Sequence, residues 1–228
     1  MITKAIENIT GWLRALWPAY LRRHYTALFY VLLLTIVAVP LATALGTRGA
    51  LIEFLLATSL LAAVLPLRSV RNRRHLLTFA VLLWLAHPVT VWLHRPVLSA
   101  IILGMWTVIG LLAMARALRF AMSATRVDAE HLYAALSAYL LEGIFFGLLY
   151  WGLEQIGHGS FATDQDFTPM SALYFSFVTL ATLGYGDIVP RTDIARGLAI
   201  VEGVGGQLFL TVMVARLVSL YARGQETE

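Results

Sequence analysis

The chain has 228 residues, of which 59% are hydrophobic and 13% charged, and its mean hydropathy is +0.76. That excludes an ordinary soluble globular domain and implies an integral membrane protein. The net charge of +4 on 17 basic residues is not a nucleic-acid footprint, because the arginines cluster beside apolar runs, and the lack of cysteine excludes disulfides and thiolate metal sites.

Residues 1–24 form the first predicted element. Ile2, Ile6, Ile9, Leu13, Leu16 and Tyr20 recur at spacings of four and three, with Lys4, Glu7 and Arg14 off that stripe, which predicts an amphipathic helix. Trp12 and Trp17, with Arg22, Arg23 and His24, suit an inner membrane interface, and the same stripe would equally pack on a neighbouring subunit. The stretch lacks a continuous apolar core and a small-residue cleavage site, so no signal peptide is expected.

Residues 25–126 predict a four-helix transmembrane bundle, with spans over 25–45, 50–67, 75–94 and 97–116. Pro40 and Pro88 should kink the first and third by removing a backbone donor. His87, beside Pro88, is expected to be a hydrogen-bonded core histidine before it is a proton site.

Residues 127–228 predict a second unit, with a fifth span over 129–153 and a last over 194–222. The stretch 155–168 between them, with His158, Asp164 and Asp166, reads as an exposed loop. Thr168-Pro169 then starts a short helix, the threonine as cap and the proline in the first turn, where its missing donor costs nothing. That helix should run to Ala181 and point its carboxyl end, whose dipole favours a cation, at the segment that follows.

The segment is Thr182-Leu183-Gly184-Tyr185-Gly186-Asp187. Alternating glycines between a threonine and an aspartate, in apolar surroundings, let the backbone turn successive carbonyls toward one axis, which is ion-coordination chemistry. With Tyr174-Phe175-Ser176-Phe177-Val178-Thr179-Leu180-Ala181 leading in and Ile188-Val189-Pro190 following, it closely resembles the pore signature of potassium channels.

That resemblance implies an all-α membrane protein of six transmembrane helices plus a re-entrant pore helix and selectivity filter. The sequence carries one filter and no repeat of it, so a homotetramer around a central pore is implied. K+ would be held by the carbonyls of Thr182, Leu183, Gly184 and Tyr185 with the Thr182 hydroxyl, Gly186 completing the filter and Asp187 at the outer mouth. Gly206 falls where the family often has an inner-helix hinge, and Gly203 and Gly205 add flexibility, although such glycines also permit close helix packing. Gln207, Leu210 and Val214 phase toward the cavity and gate. No catalysis and no cofactor beyond permeant K+ is expected, and the partners are membrane lipids and further copies of the chain.

Three positions depart from the family pattern. Ala181 stands where a second threonine often precedes the filter, Tyr174-Phe175 replaces paired tryptophans, and Val178 replaces a carboxylate that some members place behind the filter. Phenylalanine cannot donate a hydrogen bond to Tyr185, so a less braced filter is expected.

With six spans, thirteen basic residues fall on one side and Arg48, Arg95, Arg191 and Arg196 on the other. The positive-inside rule then puts both termini in the cytoplasm of a cell whose plasma membrane the chain crosses. The fourth span has no arginine before Arg116 and Arg119, so strong voltage gating is not expected. Few residues follow the last span, so no cytoplasmic ligand-binding domain is expected. A weakly selective cation channel and an ion-coupled potassium transporter subunit are the alternative readings, the transporter disfavoured because such proteins carry several filter loops in one chain.

Glu202 and Glu142 lie at comparable depth on the last and fifth spans. Two carboxylates there could not both be charged cheaply, so at least one should be protonated or bonded to a hydroxyl such as Ser176 or Thr179. A structural hydrogen bond and a proton-sensing site are both open readings of the pair.

Overall fold

The computed structural model of the chain describes residues 23–44, 49–64, 78–86, 96–124 and 128–225. Nearly all of the expected interfacial helix over 1–24, and His87 with Pro88, fall outside them. The elements are helices α1 (His24–Ala44), α2 (Gly49–Val64), α3 (78–86), α4 (Pro96–Met122), α5 (Ala129–Ile156), α6 (Pro169–Leu180) and α7 (Asp193–Gln225), with strands β1 (Phe161–Ala162) and β2 (Val189–Pro190). Among the described residues, the regular structure is helical apart from that one antiparallel pair.

Among the described residues, four helices, α1, α4, α5 and α7, are long and apolar enough to cross a membrane. Four of the six spans expected are matched there, while the expected second and third spans, 50–67 and 75–94, extend beyond the described residues. The 16 described residues of α2 extend about 24 Å at 1.5 Å per residue. At its other end, α4 passes position 116 and runs to Met122. Arg116 and Arg119 are good helix formers at a helix carboxyl terminus, where the dipole favours cations, so the basic residues extend the span instead of ending it.

The stretch 155–168 is less irregular than its composition suggested. Helix α5 continues to Ile156, and Phe161 and Ala162 pair with Pro190 and Val189. Glu154 organises the turn between, its two oxygens accepting from the Gly159 N–H at 2.7 Å and the Ser160 N–H at 2.9 Å. This ties the start of the loop to the residues just after the Gly-rich segment, where Arg191 N–H donates to the Ser160 carbonyl at 2.8 Å.

Helix α5 is the axis of the fold, packed against α1, α4, α6 and α7. Leu32, Leu60, Trp106, Leu141 and Ile144 are buried in the principal core. In lipid the hydrophobic effect does not distinguish these contacts from contacts with acyl chains, so close van der Waals fit carries the association. Gly143 and Gly147 supply that fit toward α6. A Cβ on Gly143 would lie 2.6 Å from the Phe177 ring, and one on Gly147 3.1 Å from the Leu173 Cα.

Polar caps fix the helix ends. Asp128 caps α5 by accepting from the Glu130 N–H at 3.1 Å. Glu130 in turn reaches α1, accepting from the N–H groups of Tyr25 at 3.1 Å and Thr26 at 3.3 Å and from the Thr26 hydroxyl. Amides in a helix's first turn have no partner within the helix, and a carboxylate answers both the hydrogen bonds and the dipole.

Candidate functional site

Helix α6 starts where the local sequence requires it. Thr168 is extended, at φ −116° and ψ 168°, its hydroxyl oxygen accepts from the Ser171 N–H at 3.1 Å, and Pro169 follows inside the first turn. The helix ends at Leu180, one residue short of expectation, and Ala181 is its carboxyl cap. Ala181 N–H donates to the Phe177 carbonyl at 2.9 Å, Thr182 N–H to Thr179 at 3.0 Å, and Leu183 N–H to Val178 at 2.9 Å. Three consecutive amides thus hang the Gly-rich segment from the last turn of α6.

Beyond that turn the backbone alternates in hand. Thr182, Gly184 and Gly186 have φ of 57°, 58° and 81°, whereas Leu183 and Tyr185 between them do not have positive φ. An extended strand sends successive carbonyls to opposite sides, but alternating hand lets them face one side. Glycine adopts the left-handed region without cost; Thr182, β-branched, is an outlier there and stores on the order of 1–3 kcal/mol. Such strain persists only where the surroundings impose it, and the amide bonds to Thr179 and Val178 are that constraint.

The segment is exposed throughout, with Leu183 57% and Tyr185 67% accessible, in a protein otherwise rich in packed apolar surface. The rings of Tyr174 and Tyr185 lie parallel with centroids 6.5 Å apart. Tyr174 therefore takes up part of the bracing position expected to be weak, while Phe175 turns inward among Tyr150 and Phe161. Asp187 sits beside Tyr174, Asp164 and Ser171 around a polar hollow of about 320 Å³.

Helix α7 runs behind α6. Gly206 packs against Leu180, with no room for a side chain, while Gly203 is open but for Thr179 and Gly205 faces a Glu142 oxygen. The helix is unbroken across all three glycines. Gln207, Leu210 and Val214 are exposed on it. Glu202 is fully buried and meets the hydroxyls of Ser176 and Tyr150; Glu142 is buried on α5. Tyr150 was not singled out by the sequence, because a tyrosine inside a span reads as ordinary packing until its partner 52 residues away is known. Gly143 and Gly147 carried a usable signal, the small-xxx-small spacing. No cluster of metal-binding His, Cys, Asp or Glu side chains occurs among the described residues.

A short helix leads into a strained backbone segment, with a long helix on either side in sequence. The ion-channel family model matches residues 134–223, from within α5 almost to the end of α7. Over that stretch the chain is similar to potassium channels. The matching family is an ion-channel family and not an enzyme family.

The chain is 30% identical over 95 residues to two-pore potassium channel 3 of Arabidopsis thaliana, covering 42% of this chain and 20% of that protein. It is 32% identical over 101 residues to the voltage-gated potassium channel Kch of Escherichia coli, covering 42% and 22%. Protein LctB of Bacillus caldotenax is 29% identical over 100 residues, 41% of this chain and 74% of that protein. The chain thus spans about a fifth of the length of the plant relatives it matches. No solved structure matches.

Proposed function

We propose that the chain is one subunit of a homotetrameric potassium-selective channel that conducts K+ passively across the plasma membrane. The observation that carries this reading is the left-handed backbone at every second residue, Thr182, Gly184 and Gly186, on an exposed segment hung from the end of α6. Four such segments around one axis replace the water shell of a dehydrated cation with the carbonyls of Thr182, Leu183, Gly184 and Tyr185 and the Thr182 hydroxyl. Gly186 completes the filter, and Asp187 supplies negative charge at the outer mouth.

A tetramer also accounts for α7. Ile200, Val204, Leu208 and Val218 are each more than half exposed in the single chain, and an apolar helix of that length needs either lipid or other copies around it. Gln207, Leu210 and Val214 line the cavity on the filter axis, and Gly203 with Gly205 provides the inner-helix bend, Gly206 being occupied in packing.

The orientation follows the basic residues, with both termini cytoplasmic. Helix α4 carries Arg116 and Arg119 only near its end, so little charge crosses the field and gating is weakly voltage-dependent. The test is purified protein in a planar bilayer with opposed K+ and Na+ gradients. A reversal potential at the potassium equilibrium supports the reading; one midway between the two ions assigns a weakly selective cation channel instead.

A further inference from the structure

Glu202 sits at the meeting point of α5, α6 and α7, with no exposed surface. The Tyr150 hydroxyl donates to its Oε2 at 2.6 Å, and Ser176 Oγ lies against its Oε1. Ser176 Oγ is also 2.7 Å from the carbonyl oxygen of Gly143. These are three contacts, and the two hydroxyls bring one proton each.

The protons can be assigned. The Gly143 carbonyl only accepts, so its contact requires the Ser176 proton, and Ser176 then has only lone pairs to turn toward Glu202. Tyr150 uses its own proton on Oε2. The remaining contact, between two oxygens, needs a third proton, and its one available carrier is the carboxyl itself.

The surroundings agree with a neutral group. The described basic residues of α5, α6 and α7 are engaged elsewhere: His131 with Asp128, Arg196 with Pro190 and Asp193, and Arg216 with the Ala124 carbonyl. The other titratable groups facing Glu202 are Tyr150, Tyr139 and Glu142, all on α5 and none a cation. Among the described residues Glu142 makes no hydrogen bond, and it opens on an apolar groove of about 320 Å³ lined by Met114, Leu118, Leu208 and Phe209, so it is outside the network.

We propose that Glu202 is a positioning residue whose protonated carboxyl donates to Ser176 and accepts from Tyr150, locking the inner helix to the helix from which the filter segment hangs. Two residues past Ser176, Val178 begins the turn that holds Leu183 and Thr182, and one residue past Glu202 lies Gly203, the first glycine of α7 beyond the lock. The lock therefore fixes α6 against the stretch of α7 that precedes the glycines. It concerns how the segment is held and does not depend on which ion is conducted.

The test is infrared spectroscopy of the purified full chain in lipid, comparing it with Glu202→Gln and Glu142→Gln. The carbonyl-stretch band of a protonated carboxylic acid is expected to shrink in Glu202→Gln; a band unchanged by that substitution overturns the proposal. Thermal unfolding of the same samples gives a second arm. The glutamine amide donates to Ser176 and accepts from Tyr150, so Glu202→Gln should unfold like the wild type. Glu202→Ala leaves both hydroxyls short of a partner, and its unfolded fraction should rise about tenfold or more. A glutamine variant as unstable as the alanine variant would mean that the carboxylate is charged. Neither arm needs ion flux, so failure here is distinguishable from failure of the channel reading.

Discussion

A Cβ on Gly206 would lie 2.5 Å from Leu180 Cδ1 and 3.3 Å from the Leu180 carbonyl oxygen. The inner helix thus meets the last residue of α6 backbone to side chain, immediately below the strained segment. Tyr139 approaches the same carbonyl from α5, its hydroxyl 3.4 Å away. Gly206→Ala should therefore push α7 off α6 and destabilise the protein by about 1–3 kcal/mol. The thermal midpoint in detergent checks this, and Leu180→Ala combined with Gly206→Ala should recover part of the loss. Full stability in the single variant would show that the two helices are less tightly apposed.

Gly184→Ala should abolish potassium current while leaving folding and assembly intact. Within one chain a Cβ there meets nothing within 4 Å, so sterics inside the subunit are not the reason. The cause is its φ of 58°, which costs an L-residue about 1–2 kcal/mol and reorients the carbonyl that the ion would meet. Bilayer recording together with size-exclusion elution of the variant separates the two outcomes. Normal current from correctly assembled Gly184→Ala would remove the filter assignment.

Glu130→Ala should cost about 0.5–2 kcal/mol of stability, the usual range for a lost helix cap. The loss should be confined to the attachment of α1. Amide hydrogen exchange at Tyr25 and Thr26 should speed up in the variant while that of α6 is unchanged. Equal protection in both proteins would mean that water replaces the carboxylate without penalty.

Open probability should vary little with voltage. Each charge carried across the field is worth about 2.3 kcal/mol per 100 mV, and steep gating needs several per subunit. With Arg116 and Arg119 at the end of α4, few charges can move. A steep conductance-voltage relation in symmetrical potassium, without blockers, contradicts this.

What could be read in the residues, and what could not, divides along physical lines. Thr168-Pro169 marked the start of α6 to the residue, since a cap and a first-turn proline act locally. The glycine spacing in 182–187 exposed the backbone alternation because only glycine takes positive φ freely. The strand pair of Phe161–Ala162 with Val189–Pro190 left no trace, as two-residue strands have no periodicity to detect. Thr182 at φ 57° was likewise hidden: nothing about a threonine announces a left-handed backbone, which the neighbouring amides impose. The span count is matched at four helices among the described residues, and the expected second and third spans run beyond them. The Glu202 network was half legible, the carboxylate by its depth and Ser176 as one of two candidate hydroxyls beside Thr179, while Tyr150 required the packed structure.

The reach of Glu130 to Tyr25 and Thr26 also orders events during synthesis. Its sequence distance of about a hundred residues means that the ribosome delivers α1 long before the group that caps it. Until α5 is made, the first turn of α1 must find other acceptors, in lipid headgroups or water. The arrival of α5 then closes that turn and docks the beginning of the chain onto its later half, so a truncated product ending before residue 130 would leave the newborn first helix with an open amino end.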